Sequence, residues 1–357
     1  MIKEFYKNKT ILVTGHTGFK GSWLSIWLLE MGANVIGYSL DPKTDKDNFV
    51  LTGLADKMVD IRGDIRDFEK LSGVFNKYNP EIVFHLAAQP LVRLSYDLPK
   101  ETFDTNITGA VNVLECFRLN SKSKYLINVT SDKCYENKEQ IWGYRESDPL
   151  GGHDPYSASK ACSEIVTSAY MKSFFYGNTE KNIATGRAGN VIGGGDWALD
   201  RIIPDCIRAI ENNLTLEVRS PKAVRPWQHV LEALYGYILL GYRLSQDPAR
   251  FSQSWNFGPN SEMILTVENI VGKIINKYGT GKWLDISDKK TVHEAKLLSL
   301  DTTKAKLQLE WHPVLNIDQT VEMTVNWYKE YKHSCVYDLC SEQIKNYTKL
   351  LGESDEK

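Results

Sequence analysis

The chain has 357 residues, of which 42% are hydrophobic and 25% are charged, so it is long enough to bury a globular core. Its formal net charge is −2, and charges of both signs are mixed along it, which excludes the basic surface that nucleic acid or an anionic membrane would require. No apolar run reaches the length of a membrane span. We therefore expect a small-molecule partner, no nucleic acid and no membrane.

The six cysteines lack the spacing of a zinc site or of a disulfide framework. The first ten residues are polar and lead directly into a strand, so no secretory leader is expected. These features predict a cytoplasmic protein without a metal.

A glycine-rich turn over 15–21 follows a short apolar strand (10–14) and precedes a run with helical periodicity. Glycines allow the backbone to approach a diphosphate closely, and a helix N-terminus offers free N–H groups to the anion. The string alone could be a structural turn, but its position between strand and helix favours a dinucleotide site. The predicted cofactor contacts in this turn are Gly15, Gly18, Phe19, Lys20 and Gly21.

A second strand over 33–38 ends where an acidic residue would normally bind the adenosine ribose. Ser39 occupies that position, and Asp41 follows two residues later. Lys20 and Lys43 are near enough in sequence to indicate a 2′-phosphate site instead. These residues leave NAD and NADP open.

Strands and helices then alternate as far as residue 187, with strands near 59–62, 81–89, 125–130 and 183–187 and a helix over 103–119. This rhythm predicts a Rossmann-like, doubly wound parallel α/β sheet, whose ligands gather at the carboxyl ends of the strands.

The stretch 130–160 contains the candidate catalytic residues. Pro155 is suited to opening a helix, so Tyr156 and Lys160, four residues apart, should project from one face. An ammonium beside a phenol favours the phenolate, and we expect it to lower the pKa of Tyr156. Taken alone, this spacing is more often a solvated helix face. The preceding strand delivers Ser131, which could share the hydrogen bond.

The rhythm changes after residue 187, where a glycine-rich loop (188–197) and a smaller α/β lobe begin. Three arginines, Arg201, Arg219 and Arg225, fall on loops or strand edges. Such residues are usually only solvated, but the arginine fork is also a good donor to a diphosphate. We expect residues 1–187 plus 227–258 to bind the dinucleotide and residues 188–226 plus 259–357 to bind the substrate.

From the glycine turn through residues 224–230, the chain resembles the extended short-chain dehydrogenase/reductase family, and within it the sugar-nucleotide 4,6-dehydratases. The glycine loop 13–24 is similar to that of the branch that acts on CDP-glucose. The triplet Ser131-Asp132-Lys133 is also similar to that branch, because the dTDP-glucose relatives have Thr-Asp-Glu in its place. The resemblance implies a nucleotide-sugar substrate, NAD as cofactor and a homodimer or homotetramer. The helices after residues 103 and 156 resemble those of the family's four-helix dimer interface, but their apolar faces could instead serve an intramolecular core.

The resemblance also implies roles for individual residues. Tyr156, Lys160 and Ser131 would oxidise carbon 4 of the sugar, and Asp132 and Lys133 would eliminate water across carbons 5 and 6. Asp132 would be the acid and Lys133 the base, or Lys133 would only orient Asp132. The implied cofactor contacts outside the glycine turn are Ser39, Asp64, Ile65, Ala87, Ala88, Gln89, Val129, Tyr156 and Lys160.

The residues implied for the substrate diphosphate are Asn190 and Arg225, with Arg201 and Arg219 as looser matches. His293-Glu294 could approach the nucleotide or be an exposed loop pair. An epimerase or ketoreductase of the same fold would need Ser131 and the Tyr156–Lys160 pair but not Asp132-Lys133. A non-catalytic dinucleotide sensor would need none of them.

Overall fold

The computed structural model describes residues 1–177, 180–260, 263–287 and 297–355, so His293-Glu294 lies outside the described residues. The strands are β1 (Thr10–Thr14), β2 (Asn34–Ser39), β3 (Val59–Arg62), β4 (Ile82–His85), β5 (Tyr125–Val129), β6 (Asn182–Ala188), β7 (Val191–Ile192), β8 (Thr215–Val218), β9 (Val224–Pro226), β10 (Gln228–His229), β11 (Ser254–Phe257), β12 (Ile264–Thr266) and β13 (Lys282–Asp285).

The α-helices are α1 (Ile2–Tyr6), α2 (Phe19–Glu30), α3 (Asn48–Leu51), α4 (Phe68–Tyr78), α5 (Val92–Asp97), α6 (Pro99–Phe103), α7 (Gly109–Leu119), α8 (Pro155–Tyr170), α9 (Ile202–Glu211), α10 (Val230–Gln246), α11 (Pro248–Phe251), α12 (Val267–Tyr278), α13 (Ile317–Glu330) and α14 (Val336–Asp355). None of the helices in the described ranges is both long and apolar enough to cross a membrane.

Seven strands form one parallel sheet in the order β3-β2-β1-β4-β5-β6-β11. The strand order reverses between β1 and β4, which confirms the doubly wound α/β arrangement predicted from the alternating pattern. Since parallel strands end at the same edge, the segments that follow β1, β2, β4, β5 and β6 converge there.

Hydrophobic cores lie on both faces of this sheet. Ile11 and Val13 of β1 belong to one core, whereas Leu12 between them belongs to the other, because successive side chains of a strand alternate. Helices α2 and α10 contribute to the first core, and α4 and α7 contribute to the second. This two-sided burial explains why the central strands are apolar along nearly their whole length.

Outside the main sheet, the described strands form three short pairs. β7 pairs with β10 and β8 with β13, both in parallel, and β9 pairs with β12 antiparallel. These pairs join segments distant in sequence. Arg225 lies within β9, Arg219 directly follows β8, and Arg201 directly precedes α9.

The helix predicted over 103–119 differs in the structure. The chain forms α6 and α7 with a π-helical turn over 104–108 between them. The extra residue of this turn places Asn106 inward, where its side-chain oxygen accepts from the backbone N–H of Gln89 at 2.8 Å and its amide donates to Ser159 Oγ at 2.8 Å. The turn therefore fastens the segment after β4 to α8.

Candidate active site

A crevice of about 1710 Å³ opens at the carboxyl edge of the sheet. A pocket for one small ligand typically measures ~300–1000 Å³, so this crevice has room for a dinucleotide and a second ligand. The predicted catalytic, cofactor and diphosphate residues all line it, namely Gly15, Gly18, Phe19, Lys20, Gly21, Ser39, Asp64, Ile65, Ala87, Ala88, Gln89, Val129, Ser131, Asp132, Lys133, Tyr156, Lys160, Asn190, Arg201, Arg219 and Arg225.

The glycine turn forms a cradle that larger side chains would fill. Gly15 has φ +75°, and a Cβ there would lie 2.7 Å from the backbone nitrogen of Ala87. A Cβ on Gly21 would lie 2.0 Å from the carbonyl oxygen of Gly15. Gly18 caps α2, whose first N–H groups therefore remain available to an anion. These residues fit a dinucleotide diphosphate.

At the end of β2, Ser39 is almost fully buried, and its hydroxyl lies 2.8 Å from Thr17 Oγ1. Arg62 is the register partner of Ser39 on β3, and its Nε lies 3.6 Å from Asp41. Asp64, just beyond β3, makes a bidentate ion pair with Arg66 that lowers the pKa of Asp64. The subsite thus contains charges of both signs.

Lys20 lies near the catalytic residues in the crevice. Its Nζ is 5.9 Å from the centroid of the Tyr237 ring. Burial, helped by Arg201 and Lys160, lowers the pKa of Lys20 to about 7. Lys20 stands in the first turn of α2, which begins at Phe19, and the charges of Lys160 and Asp132 act on its ammonium. This position does not support the alternative of a 2′-phosphate site formed with Lys43.

Tyr156 and Lys160 project into the crevice from the first turns of α8. The helix begins here because Pro155 occupies its first position and the Asp154 side chain caps it, accepting from the Ser157 backbone N–H at 2.9 Å. Both catalytic candidates are 7% exposed. Lys160 Nζ lies 3.5 Å from the carbonyl oxygen of Val129, at the end of β5.

The pKa of Tyr156 differs from the sequence-based expectation. Burial raises it to about 12, and the hydrogen bond with Ser131 opposes this shift only in part. Burial also lowers the pKa of Lys160 to about 8, against the opposing charge of Glu164. In the protein without ligands, desolvation of the phenolate outweighs the favourable effect that a neighbouring ammonium was expected to have.

Asp132 and Lys133 follow β5 in a short 3₁₀ turn that Ser131 caps. Asp132 is 3% exposed, and its Oδ1 accepts from Ser131 Oγ at 3.0 Å. Its Oδ2 is buried and has no hydrogen-bond partner among the described residues. A Cβ on Gly189 would lie 2.0 Å from this oxygen, so the glycine leaves the carboxyl its space. The unpartnered oxygen is available for proton transfer.

The predicted substrate arginines already have partners. Arg201 pairs with Asp196 at 2.8 Å, and Arg219 pairs with Asp200 at 3.2 Å. Arg225 is 6% exposed and donates to the carbonyl of Val224 at 2.9 Å.

Asn190, from the same side of the crevice, has φ +21°, and its carbonyl accepts from the Gln228 backbone N–H at 3.3 Å. Sequence reasoning missed Arg93, which pairs with Asp200 at 2.6 Å. No local pattern could have indicated it, because 107 positions separate the two residues.

The chain resembles sugar-nucleotide enzymes along its whole length. A family model described as GDP-mannose 4,6 dehydratase matches residues 12–324. A CDP-glucose 4,6-dehydratase from Salmonella typhimurium is 50% identical over 351 residues, covering 97% of this chain and 98% of the relative. A dTDP-glucose 4,6-dehydratase from Xanthomonas campestris pv. campestris is 26% identical over 343 residues, covering 89% of this chain and 93% of the relative.

Solved structures share the fold. A dTDP-glucose 4,6-dehydratase from Streptomyces venezuelae, with NAD bound, has a TM-score of 0.76 and 25% identity, covering 90% of this chain and 97% of that one. A UDP-glucose 4-epimerase from Thermotoga maritima has a TM-score of 0.76 and 22% identity, covering 91% of this chain and all of that one. The chain therefore belongs to the GDP-mannose 4,6 dehydratase family of extended short-chain dehydrogenases/reductases.

Proposed function

We propose that this protein is an NAD-dependent hydro-lyase that converts CDP-glucose to CDP-4-keto-6-deoxyglucose. The observation that carries the proposal is the placement of Asp132 and Lys133 beside the Ser131, Tyr156 and Lys160 group in one crevice. An oxidoreductase or epimerase would need only the latter group. The identity to a CDP-glucose 4,6-dehydratase over nearly the whole length of both chains supports the choice of nucleotide.

The cofactor would lie along the sheet edge. A bound NAD would supply reversible hydride transfer, from carbon 4 of the sugar and back to carbon 6, so no external reductant would be consumed. The residues around it would be the glycine turn with Lys20 at the diphosphate, Ser39, Asp64 and Ile65 at the adenosine end, and Ala87, Ala88, Gln89 and Val129 along its course.

Oxidation at carbon 4 begins with the loss of a proton from the sugar hydroxyl. Tyr156 would accept this proton as the general base, and Ser131 would hold the hydroxyl through a shared hydrogen bond. Lys160, with its ammonium charged, would stabilise the phenolate.

The resulting 4-ketone acidifies the proton on carbon 5, and water can then leave across carbons 5 and 6. Asp132 would give a proton to the departing 6-hydroxyl through its unpartnered Oδ2. Lys133, in its neutral form, would accept the carbon 5 proton. In the alternative assignment Lys133 only orients Asp132, which then serves both steps.

The substrate diphosphate would lie between Asn190, Arg201, Arg219 and Arg225, whose planar guanidinium groups suit bidentate contacts to phosphate. Asp196 and Asp200 keep two of these arginines ordered through ion pairs. Residues 1–187 plus 227–258 would then form the dinucleotide-binding part and residues 188–226 plus 259–357 the substrate-binding part. β11, which lies within residues 227–258, belongs to the main sheet, and this supports the division.

The protein would act in the cytoplasm as a homodimer or homotetramer. All six cysteines are free thiols, which supports a reducing compartment. Leu119 at the end of α7 and Ile165 on α8 are 58% and 56% exposed, and these apolar side chains support an interface through the two helices. Light scattering after size exclusion would measure the assembly.

The test is incubation of the purified protein and NAD with CDP-, dTDP-, GDP- and UDP-glucose in parallel. We expect the CDP sugar to lose one water and gain a ketone, measured by mass spectrometry, and the other three to react more slowly. An isomer of unchanged mass would instead identify an epimerase. Equal rates with all four sugars would overturn the assignment of the nucleotide.

A further inference from the structure

Helix α8 carries a third ionisable residue in register with the catalytic pair. Glu164 stands four residues after Lys160, as Lys160 stands four after Tyr156, so all three share one face. Tyr156 and Lys160 face the crevice, whereas Glu164 is 1% exposed and lies against the sheet. The mechanism above does not use this carboxylate.

The Glu164 carboxylate accepts from four side chains. Its Oε1 accepts from Thr130 Oγ1, directly before Ser131 in the chain. Its Oε2 accepts from Arg187 at 2.8 Å, from Thr185 at 2.9 Å and from Ser254 at 3.2 Å. These donors follow or belong to β5, β6 and β11, so one side chain fastens the catalytic helix to three neighbouring strands.

The network continues into the loop that follows the catalytic triplet. Arg187, 2% exposed, donates to the hydroxyl of Tyr135 at 2.7 Å and to the carbonyl of Glu146 at 3.3 Å. Tyr135 in turn donates to Asn256 at 2.7 Å. Both terminal nitrogens of Arg187 thus have hydrogen-bond partners beside Glu164, although its buried Nε has none among the described residues.

The negative charge of the Glu164 carboxylate also acts on Lys160 and raises the pKa of its amine. Burial favours the neutral amine, and the Glu164 charge is the strongest influence that favours the ammonium. The ionisable groups that face Lys160 are Glu164, Cys134, His85, Lys20 and, one turn earlier on the helix, Tyr156. Among them only Glu164 carries the negative charge that would hold a proton on the amine at neutral pH.

We propose that Glu164 is a positioning residue of the reaction, which keeps Lys160 charged and holds Thr130, and with it Ser131, in register with Tyr156. This inference rests on the proposed function, because the reaction it serves is the oxidation at carbon 4. It adds to that function a carboxylate that touches neither the substrate nor the cofactor.

The test compares pH profiles of kcat for the wild type and Glu164→Gln, a change of nearly equal volume that removes the charge. Tyr156 must lose its proton and Lys160 must keep its own, so the limb of the profile that reports Lys160 should move to lower pH by about one unit. We expect kcat to fall ~10- to 100-fold with KM for the sugar nucleotide little changed. Glu164→Asp, which keeps the charge, should restore the position of the limb.

Thr185→Val is the matched control, because it removes one donor to Glu164 but no charge, so it should lower stability without moving the limb. If the glutamine variant fails to fold, the double exchange Glu164→Gln with Arg187→Met leaves no unpaired buried charge and is measured in the same way. If the pH profile of Glu164→Gln differs from that of the wild type only in the height of kcat, with its limbs at the same pH values, the inference is overturned. Inactivity of the wild type towards CDP-glucose would instead overturn the proposed function.

Discussion

At the residue scale, the proposed oxidation depends on whether the phenol of Tyr156 carries its proton. Burial in the crevice raises the pKa of the phenol to about 12, so the free protein holds it protonated at neutral pH. Arg201 and the hydrogen bond with Ser131 act in the opposite direction. A phenol poised in this way becomes a base only when its surroundings supply further positive charge or a proton acceptor, which couples its deprotonation to ligand binding.

Replacing Tyr156 with Phe removes the proton acceptor and leaves the ring in place. We expect kcat to fall by ~10²–10⁴-fold, the usual contribution of general base catalysis, with unchanged thermal stability. Tyr176→Phe is the matched control, because that tyrosine is 90% exposed and undergoes the same chemical change. Steady-state rates with CDP-glucose provide the measurement, and a Tyr156→Phe enzyme with more than a tenth of the wild-type rate would contradict the assignment.

Asp132→Asn separates elimination from oxidation, because the amide keeps the shape but cannot donate an acid proton at neutral pH. We expect substrate to reduce the bound cofactor, measured by its near-ultraviolet absorbance, without loss of water from the sugar.

Lys133→Met tests whether Lys133 is the base of the elimination or only orients Asp132. If the rate of hydrogen exchange between carbon 5 and solvent falls by ~10²-fold or more, Lys133 acts as the base. A smaller fall supports a role in orienting Asp132.

Site residues close together in sequence could be predicted, and those brought together by folding could not. Tyr156 and Lys160 share a turn of helix, and Ser131 follows a recognisable strand, so local periodicity was enough to find them. Arg93 and Asp200 meet only because their segments end at the same crevice. The place of Lys20 in the first turn of α2 depended on the residue at which the helix begins, which a sequence pattern does not define to within one position.

At the scale of elements, the glycine turn makes two different demands on its residues. Gly21 packs against the backbone of Gly15, where a Cβ would lie at 2.0 Å, so Gly21→Ala must open the turn. At Gly18 a Cβ would lie 3.4 Å from the same carbonyl oxygen, which is ordinary contact. We expect Gly21→Ala to destabilise the free protein by ~1–3 kcal/mol or more and Gly18→Ala to change it little.

Urea unfolding of the two variants without cofactor checks this difference. Equal losses of stability in Gly21→Ala and Gly18→Ala would contradict the different space that the structure shows at the two positions.

The strand, turn and helix themselves could be predicted from the sequence. The π-helical turn before α7 was not, because its cause is the long-range bonding of Asn106 to Gln89 and Ser159.

At the scale of the whole molecule, the doubly wound parallel sheet could be predicted from the alternation of strands and helices, since crossover connections leave few arrangements. The three short strand pairs outside it were not predictable, because their pairing depends on contacts between distant segments. The C-terminal helix α14 depends on one such contact. The hydroxyl of Tyr347 donates to Glu232 Oε2 at 2.7 Å, and backbone N–H groups of Val314 and Leu315 donate to Oε1 at 2.9 and 2.7 Å.

Burial raises the pKa of Glu232 from 4.5 to about 7, despite these three donors. A carboxyl whose folded-state pKa is raised stabilises the fold at low pH and loses that contribution as pH rises from about 4.5 to about 7. Ionisation at pH 8 therefore costs on the order of 3 kcal/mol of unfolding free energy.

Glu232→Gln keeps an acceptor for the two backbone groups and can donate to Tyr347, but it cannot ionise. Its gain in unfolding free energy over the wild type should be about 2 kcal/mol larger at pH 8 than at pH 5, measured by urea unfolding. Glu69→Gln on the exposed face of α4 is the control and should show no such difference between the two pH values. A Glu232→Gln variant whose relative stability is the same at both would mean that the carboxyl remains ionised inside the fold, with its three donors compensating for burial in full.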